Sequence, residues 1–268
     1  MSAAVAWEPE DPRDFWSELR RSTQARIGLG RAGDALPTRQ VLVFRAAHAA
    51  ARDAVHTPLA VPELTARAAA IGPGDPVWVR SRALDRSEYL RRPDLGRLPE
   101  TESGQGFSEL RATGADIGVV LADGLSPRAL HDHGVAMLAA LKDELGQQYR
   151  FAPPVIATQA RVAIGDHIGH ALGVSTVLVL IGERPGLSVA DSLGIYLTHL
   201  PRPGRADSER NCISNIHPPD GLGYAAAAKI AAGLVAGARR LGRSGVDLKD
   251  TTDRTELPSS TGRVLDVG

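Results

Sequence analysis

The stretch Gly28-Leu29-Gly30-Arg31-Ala32-Gly33 has the spacing G-x-G-x-x-G, with which a backbone can approach a pyrophosphate. That chemistry needs a buried strand before the glycines and a helix directly after them. Here the preceding residues Arg20–Ile27 are polar and basic, and Leu36-Pro37 delays the next helix. Asp53, placed where a ribose-binding carboxylate would follow, falls inside that helix. A flexible turn is therefore expected, with nicotinamide binding as a distant alternative. His131 and His133 would stand about 200° apart on a helix, so they cannot share one metal ion. His167 and His170 could share a face but lack an apparent third ligand. Solvated histidines are expected at His167 and His170.

Cys212 is the single cysteine. It excludes an intramolecular disulfide framework and four-cysteine zinc sites, and it suits a reducing compartment. A nucleophilic pair with His217 would need a tertiary geometry that spacing does not supply. A small buried apolar residue is the default. No G-x-S-x-G, H-E-x-x-H or P-loop occurs. Arg161-Val162, Glu183 and Cys212 share one property: each lies near an expected strand end or strand–helix junction. A glutamate directly after a very apolar strand, in a loop rich in glycine and proline, is poorly explained by packing. These positions are candidates for a ligand rim, and the ligand remains unnamed.

The elements that must position them read as follows. Asp14–Arg26 suggests a short helix. Thr38 suggests an N-cap for a helix running to about Val55, with Val41, Phe44, His48, Ala51 and Val55 on one face. Gly72–Pro76 is a turn cluster, and Arg91–Gly104 reads as a linker or extended arm. Asp116–Leu121 is of strand type. Ser126-Pro127 then starts a helix to Gln148 as N-cap and N1. Pro154–Ala157 is the next short apolar run, followed by a helix from about Ala160 to Leu172. Val174–Ile181 is the clearest buried strand. Asp191 or Ser192 could cap a short helical turn. Gly194–Leu200 and Cys212–Ile216 are further strands, and Leu222–Leu241 is an alanine-rich helix. Strands alternating with helices imply parallel crossovers. The expected fold class is α/β: an N-terminal helical region followed by a doubly wound, mostly parallel (Rossmann-like) sheet domain. The expected divisions are 1–105 for the helical region and linker, 106–250 for the sheet domain and 251–268 for a polar tail. Ligands of such sheets bind beyond the carboxyl ends of the strands.

Composition narrows the classes. The 268 residues could bury roughly 75% of the unfolded chain's surface. Thirty-one basic residues balance 31 acidic ones, so the net basic field needed for non-specific nucleic-acid binding is missing. A hydrophobic share of 43% argues against disorder. Lys142, Lys229 and Lys249 are the only lysines; all other basic residues are arginines. Codon bias explains this most simply, and a surface rich in bidentate donors is the alternative. The start, MSAAVAWEPEDPRDF, lacks a basic n-region and an apolar h-region. The apolar stretch Ala225–Ala238 is too short to span a bilayer. A soluble intracellular protein without a membrane partner is expected.

Several loops resemble one family, the small (light) subunit of ethanolamine ammonia-lyase. The matching stretches are STQARIGLGRAG at 22–33, LPT at 36–38, HAAARDAV at 48–55, RSEYLRRPDLGR at 86–97 and ADGLS at 122–126. LIGERPGLS at 180–188, DSLGIYLT at 191–198, RNCISNI at 210–216 and SGVDLKD at 244–250 complete them. They occur in family order and cover about residues 15–250. The resemblance implies a subunit that works only with a large subunit, whose barrel holds ethanolamine. It also implies adenosylcobalamin between the two subunits. Cobalt–carbon homolysis there yields a 5′-deoxyadenosyl radical, and the reaction gives acetaldehyde and ammonia. The small subunit would contribute a cobalamin-binding face and no substrate-contacting catalytic group. By the same resemblance, the cofactor-binding residues are Val162 (of QARV), Glu183 (of IGERPG) and Cys212 (of RNCISN), with Arg161 a neighbouring candidate. Base-off cobalamin proteins carry D-x-H-x-x-G. Here Asp132-His133-Gly134 and Asp166-His167-Ile168-Gly169 have other spacings, which agrees with the base-on binding that the resemblance implies. Some relatives carry an N-terminal extension for packaging into a bacterial microcompartment, whereas the segment before Arg20 is short and acidic-leaning. A cytoplasmic location, free or inside a microcompartment, is the expectation. The alternative function is a stand-alone cobalamin-binding or scaffolding protein.

Overall fold

The computed structural model describes residues 12–102 and 106–250. The beginning of the chain to residue 11 and the expected polar tail 251–268 lie outside the described residues. The described residues form a mixed α/β fold with seven α-helices around one six-stranded sheet.

Two helices come first, α1 (Pro12–Arg21) and α2 (Thr38–His56), joined by the glycine segment. Gly28, Gly30 and Gly33 all have φ between +58° and +75°, and among the described residues no strand precedes them. The left-handed backbone serves turns here. Thr38 is the first helical residue and Pro37 occupies the N-cap, without a side-chain cap bond. The expected inner face of α2 is corrected as well. Phe44 and His48 are exposed, and Ala51 and Ala54 are the buried residues. The small alanines permit close approach to the rest of the fold, which the bulkier residues would prevent.

Next come α3 (Val61–Ala69), β1 (Val77–Arg80) and α4 (Arg86–Arg91), capped by the Asp85 side chain accepting from Glu88 N. The strand β1 was not expected. It pairs in parallel with a later strand and so joins the helical region to the sheet. The stretch after α4 is no loose arm: a 3-10 turn at Leu95–Arg97 buries Gly96 against Tyr89 and Arg161.

The alternating part is β2 (Ile117–Ala122), α5 (Pro127–Leu145), β3 (Val155–Thr158), α6 (Ile164–Ala171) and β4 (Thr176–Gly182). Ser126 caps α5, its hydroxyl accepting from Ala129 N, with Pro127 at N1 as expected. The fold ends with β5 (Leu193–His199), β6 (Asn211–Ile216) and α7 (Tyr224–Leu241). No helix forms around Asp191 and Ser192.

The strand order is β1-β3-β2-β4-β5-β6. β1, β3, β2 and β4 run parallel, whereas β4–β5 and β5–β6 are antiparallel. The doubly wound expectation thus holds over the first four strands and fails at the last two. The cause is connection length. A parallel crossover takes a dozen or more residues, usually with a helix, and the connections 183–192 and 200–210 contain no α-helix.

Alternation along the strands divides the core in two. Leu178, Leu180, Ile195, Leu197 and Ile213 face one layer with α3, α5 and α7. Val120, Val155, Val177, Val179 and Ile181 face the opposite layer, where α6 supplies Ile164 and Ile168. That second layer takes Tyr196 from β5 and nothing from β6. Cys212 and Ser214 are exposed on β6. α6 therefore covers β2 and β4 on this face and leaves the β5–β6 end of the sheet open among the described residues.

Candidate functional site

Two adjoining cavities of about 560 and 440 Å³ lie beside this open face. Both are lined by Arg161, Val162 and Tyr196. Glu183, Gly182 and Ser214 close the smaller one, and Asp94, Asp207 and Arg210 the larger.

Each side chain is placed by local backbone. Arg161 and Val162 occupy the loop from β3 to α6. Arg161 N donates to Gly96 O at 2.8 Å, and Val162 O accepts from Gly165 N at 3.0 Å. Val162 is half-buried against the α6 layer. Glu183 directly follows β4, and its N donates to Ser192 O at 3.0 Å. Its carboxylate reaches over Gly194, where a Cβ would lie 3.0 Å from Oε1. It accepts from Ser214 Oγ at 2.6 Å and from Asn215 N at 3.2 Å. A carboxylate offers about four lone-pair sites, so acceptor capacity remains.

Cys212 stands opposite Tyr196 in the β5–β6 register. It is exposed, which corrects the default of a small buried residue. It lines neither cavity, but its neighbour Tyr196 lines both. Burial pushes the Tyr196 hydroxyl up to about 12, with the adjacent Cys212 contributing. The phenol is neutral at physiological pH. His217 Nε2 pairs with Asn215 Oδ1 at 2.8 Å, so it does not form a pair with Cys212.

Beneath Arg161 lies a buried polar cluster. Tyr89 is fully buried and donates from its hydroxyl to Ala160 O at 3.0 Å. The Arg161 and Arg86 guanidinium carbons lie 4.4 and 4.7 Å from its ring centroid. Asp123, just after β2, accepts from Gln159 N at 2.7 Å and Ala160 N at 2.9 Å, with Arg86 Nη1 3.8 Å away. Burial outweighs these partners and pushes its carboxyl up to about 6. Arg86 also donates to Val55 O and Gly124 O. The crevice between β2 and β3, where a doubly wound sheet changes direction, is thereby filled by the chain's own side chains.

On the far side, Arg210 forms a bidentate pair with Asp166 of α6, and its Nη1 donates to Thr198 Oγ1 at 3.0 Å. Arg161, Val162 and Glu183 thus come together around the cavities, and Cys212 borders them. Tyr196, Ser214, Tyr89 and the Arg210–Asp166 pair escaped the sequence reading. The alternation of Gly194, Tyr196 and Thr198 with Leu193, Ile195 and Leu197 is a signal of one less apolar face that could have found Tyr196.

The other candidates separate. His131 contacts Glu63 and Asp132, while His133 contacts Tyr224. Among the described residues, no group of three or more His, Cys, Asp or Glu side chains is arranged to hold a metal ion. No described helix is long and apolar enough to cross a membrane.

Comparison with known proteins adds a family to this geometry. The model for the ethanolamine ammonia-lyase light chain (EutC) matches residues 13–249. An ethanolamine ammonia-lyase small subunit from Rhodococcus erythropolis is 62% identical over 253 residues, 94% of this chain and 96% of the relative. The small subunit from Ralstonia nicotianae is 48% identical over 242 residues, 89% of each chain. That from Pseudomonas fluorescens Pf0-1 is 45% identical over 258 residues, 95% of this chain and 93% of the relative. With a match that spans both the helical region and the whole sheet, the chain belongs to the ethanolamine ammonia-lyase small-subunit family.

Proposed function

We propose that this chain is the small subunit of an adenosylcobalamin-dependent ethanolamine ammonia-lyase. It forms part of the cofactor site at the interface with a large catalytic subunit. The observation that carries this reading is the open sheet face of Tyr196 and Cys212, bordered by Val162 of the β3–α6 loop and by the Glu183 carboxylate.

The residues fit the group. A corrin is a broad apolar disc fringed with amides. The half-buried Val162 and Tyr196 offer it an apolar contact surface, and Cys212 continues that surface along β6. Glu183 retains acceptor sites for an amide or ribose donor, and its bonds to Ser214 and Asn215 hold it in place. Among the described residues no histidine lines either cavity; the reading is of a base-on cofactor that keeps its own lower ligand. When bound, adenosylcobalamin supplies the 5′-deoxyadenosyl radical that initiates conversion of ethanolamine to acetaldehyde and ammonia. The residues of this chain bind and orient the cofactor; none is assigned to substrate. A cytoplasmic setting, free or within a bacterial microcompartment, accompanies this reading.

The test is reconstitution with the large subunit. Glu183→Ala is expected to weaken cobalamin affinity by about 1–3 kcal/mol, the usual cost of losing a desolvated polar partner. The isolated chain should deaminate no ethanolamine with cofactor supplied. Unchanged affinity removes Glu183 from the site, and lyase activity of the chain alone overturns the subunit assignment.

A further inference from the structure

The carboxylates around the two cavities have partners. Asp94 accepts from Arg92 at 2.9 and 2.7 Å. Asp207 accepts from Arg97 at 2.9 Å and Arg210 at 3.3 Å. Glu183 accepts from Ser214 and Asn215. Asp123 accepts two backbone amides and faces Arg86. Arg161 lines both cavities, yet among the described residues no oxygen accepts from its guanidinium, and its Nε is buried without a partner. Arg86 faces Asp123 at 3.8 Å, whereas among the described residues no carboxylate pairs with Arg161.

Arg161 is also held. Its guanidinium carbon lies 4.4 Å from the Tyr89 centroid, within the range of a cation–π contact. Tyr89 is anchored in turn by its bond to Ala160 O. Gly96 packs on both side chains: a Cβ there would lie 2.9 Å from Tyr89 Cε2 and 3.0 Å from Arg161 Cγ. A guanidinium fixed in place and left without an acceptor is pre-organised to bind two oxygens of an oxyanion such as a phosphate. Arg184, which also lines the smaller cavity, is exposed and has no such support.

Building on the cobalamin reading above, we infer that Arg161 recognises the phosphodiester of the cobalamin nucleotide loop and that Tyr89 is the positioning residue for its guanidinium. The phosphodiester is the anionic group among the cofactor's neutral amides, so it is the part that a guanidinium without an acceptor selects.

The experiment compares cobalamin with cobinamide, which keeps the corrin and lacks the nucleotide loop. Both are titrated by equilibrium dialysis into the complex reconstituted with the large subunit. Arg161→Gln is expected to lower cobalamin affinity by about tenfold or more, as loss of a charge-assisted bond does, and to leave cobinamide affinity within about twofold. Tyr89→Leu should reproduce that selective loss, whereas Tyr89→Phe, which keeps the ring, should retain most cobalamin affinity. Cobinamide binding reports that the groove is folded in each variant. Equal loss of both ligands in Arg161→Gln, or no loss of either, overturns the inference. Equal behaviour of Tyr89→Phe and Tyr89→Leu overturns the role of Tyr89. A wild-type complex that binds neither corrinoid overturns the cobalamin reading itself, which is a distinguishable outcome.

Discussion

Arg210 and Asp166 form a bidentate ion pair at 2.6 and 2.7 Å, with both side chains only 2% exposed. The pair ties the start of β6 to α6 across the floor of the larger cavity. It therefore sets where the open face of β6 lies relative to Val162 on the preceding loop. Removing one member strands a buried charge, which costs about 3–5 kcal/mol. Arg210→Met should lose stability of that order in urea unfolding. The double variant Asp166→Leu/Arg210→Met should recover part of it, since apolar replacement of a whole buried pair is often near neutral. A single variant as stable as wild type would show that the pair is not a structural tie.

Asp123 gives a pH signature. Burial raises its folded-state carboxyl from 3.8 to about 6. Between these values the native state binds the proton that the unfolded state has released. The contribution is full below about pH 4 and is lost as pH rises through about 6. Relative to Asp123→Asn, the wild type should lose stability across this window by a few kcal/mol, since each pKa unit is worth about 1.4 kcal/mol. Denaturation series at pH 4, 5, 6 and 7 measure the difference. A wild type that gains stability relative to Asp123→Asn as pH rises would contradict the raised value.

Gly182 ends β4 directly before Glu183. A Cβ there would lie 2.0 Å from Ser126 O and 2.8 Å from Asp123 O, and both are backbone atoms that cannot swing aside. Gly182→Ala must displace either the strand end or the cap of α5. It is expected to destabilise the chain by about 1–3 kcal/mol, as overpacking does. It should also weaken cofactor binding by shifting Glu183. Wild-type stability and wild-type affinity together would contradict the close approach.

Cys212 is accessible, yet contact with the sheet surface raises its thiol above the usual 9.0; the Tyr196 hydroxyl opposes the rise and Glu183 adds to it. As the single cysteine it reports cleanly. Its alkylation by iodoacetamide in the free subunit should be slow at pH 7 and keep accelerating through pH 9 without a plateau, because the thiolate is the nucleophile. Tyr196→Phe should slow it further at a given pH. A plateau below pH 9 would show the thiolate to be stabilised instead.

Much of the fold was legible in local pattern. The Ser126-Pro127 start of α5, the apolar run that became β4 and the alanine-rich α7 all stand near their expected places. In each case the signal is a cap, a continuous apolar run or helical periodicity, and neighbours in sequence suffice to form it. β1 was missed because its four residues VWVR carry no such signal, and it exists through its pairing with β3. On α2 the residues that share a face are legible from spacing, but close packing decides that Ala51 and Ala54 are buried and Phe44 exposed.

The sequence by itself determined the family, through motifs in order along most of the chain, and it placed Val162 and Glu183 at junctions of strand and loop. Only the tertiary structure decided that β5 and β6 turn antiparallel and that α6 leaves their face open. It alone brought Tyr89 under Arg161 and Tyr196 opposite Cys212. The reason is physical. Caps, turns and apolar runs depend on adjacent residues, whereas a site on a sheet face depends on which elements pack there and which leave it uncovered.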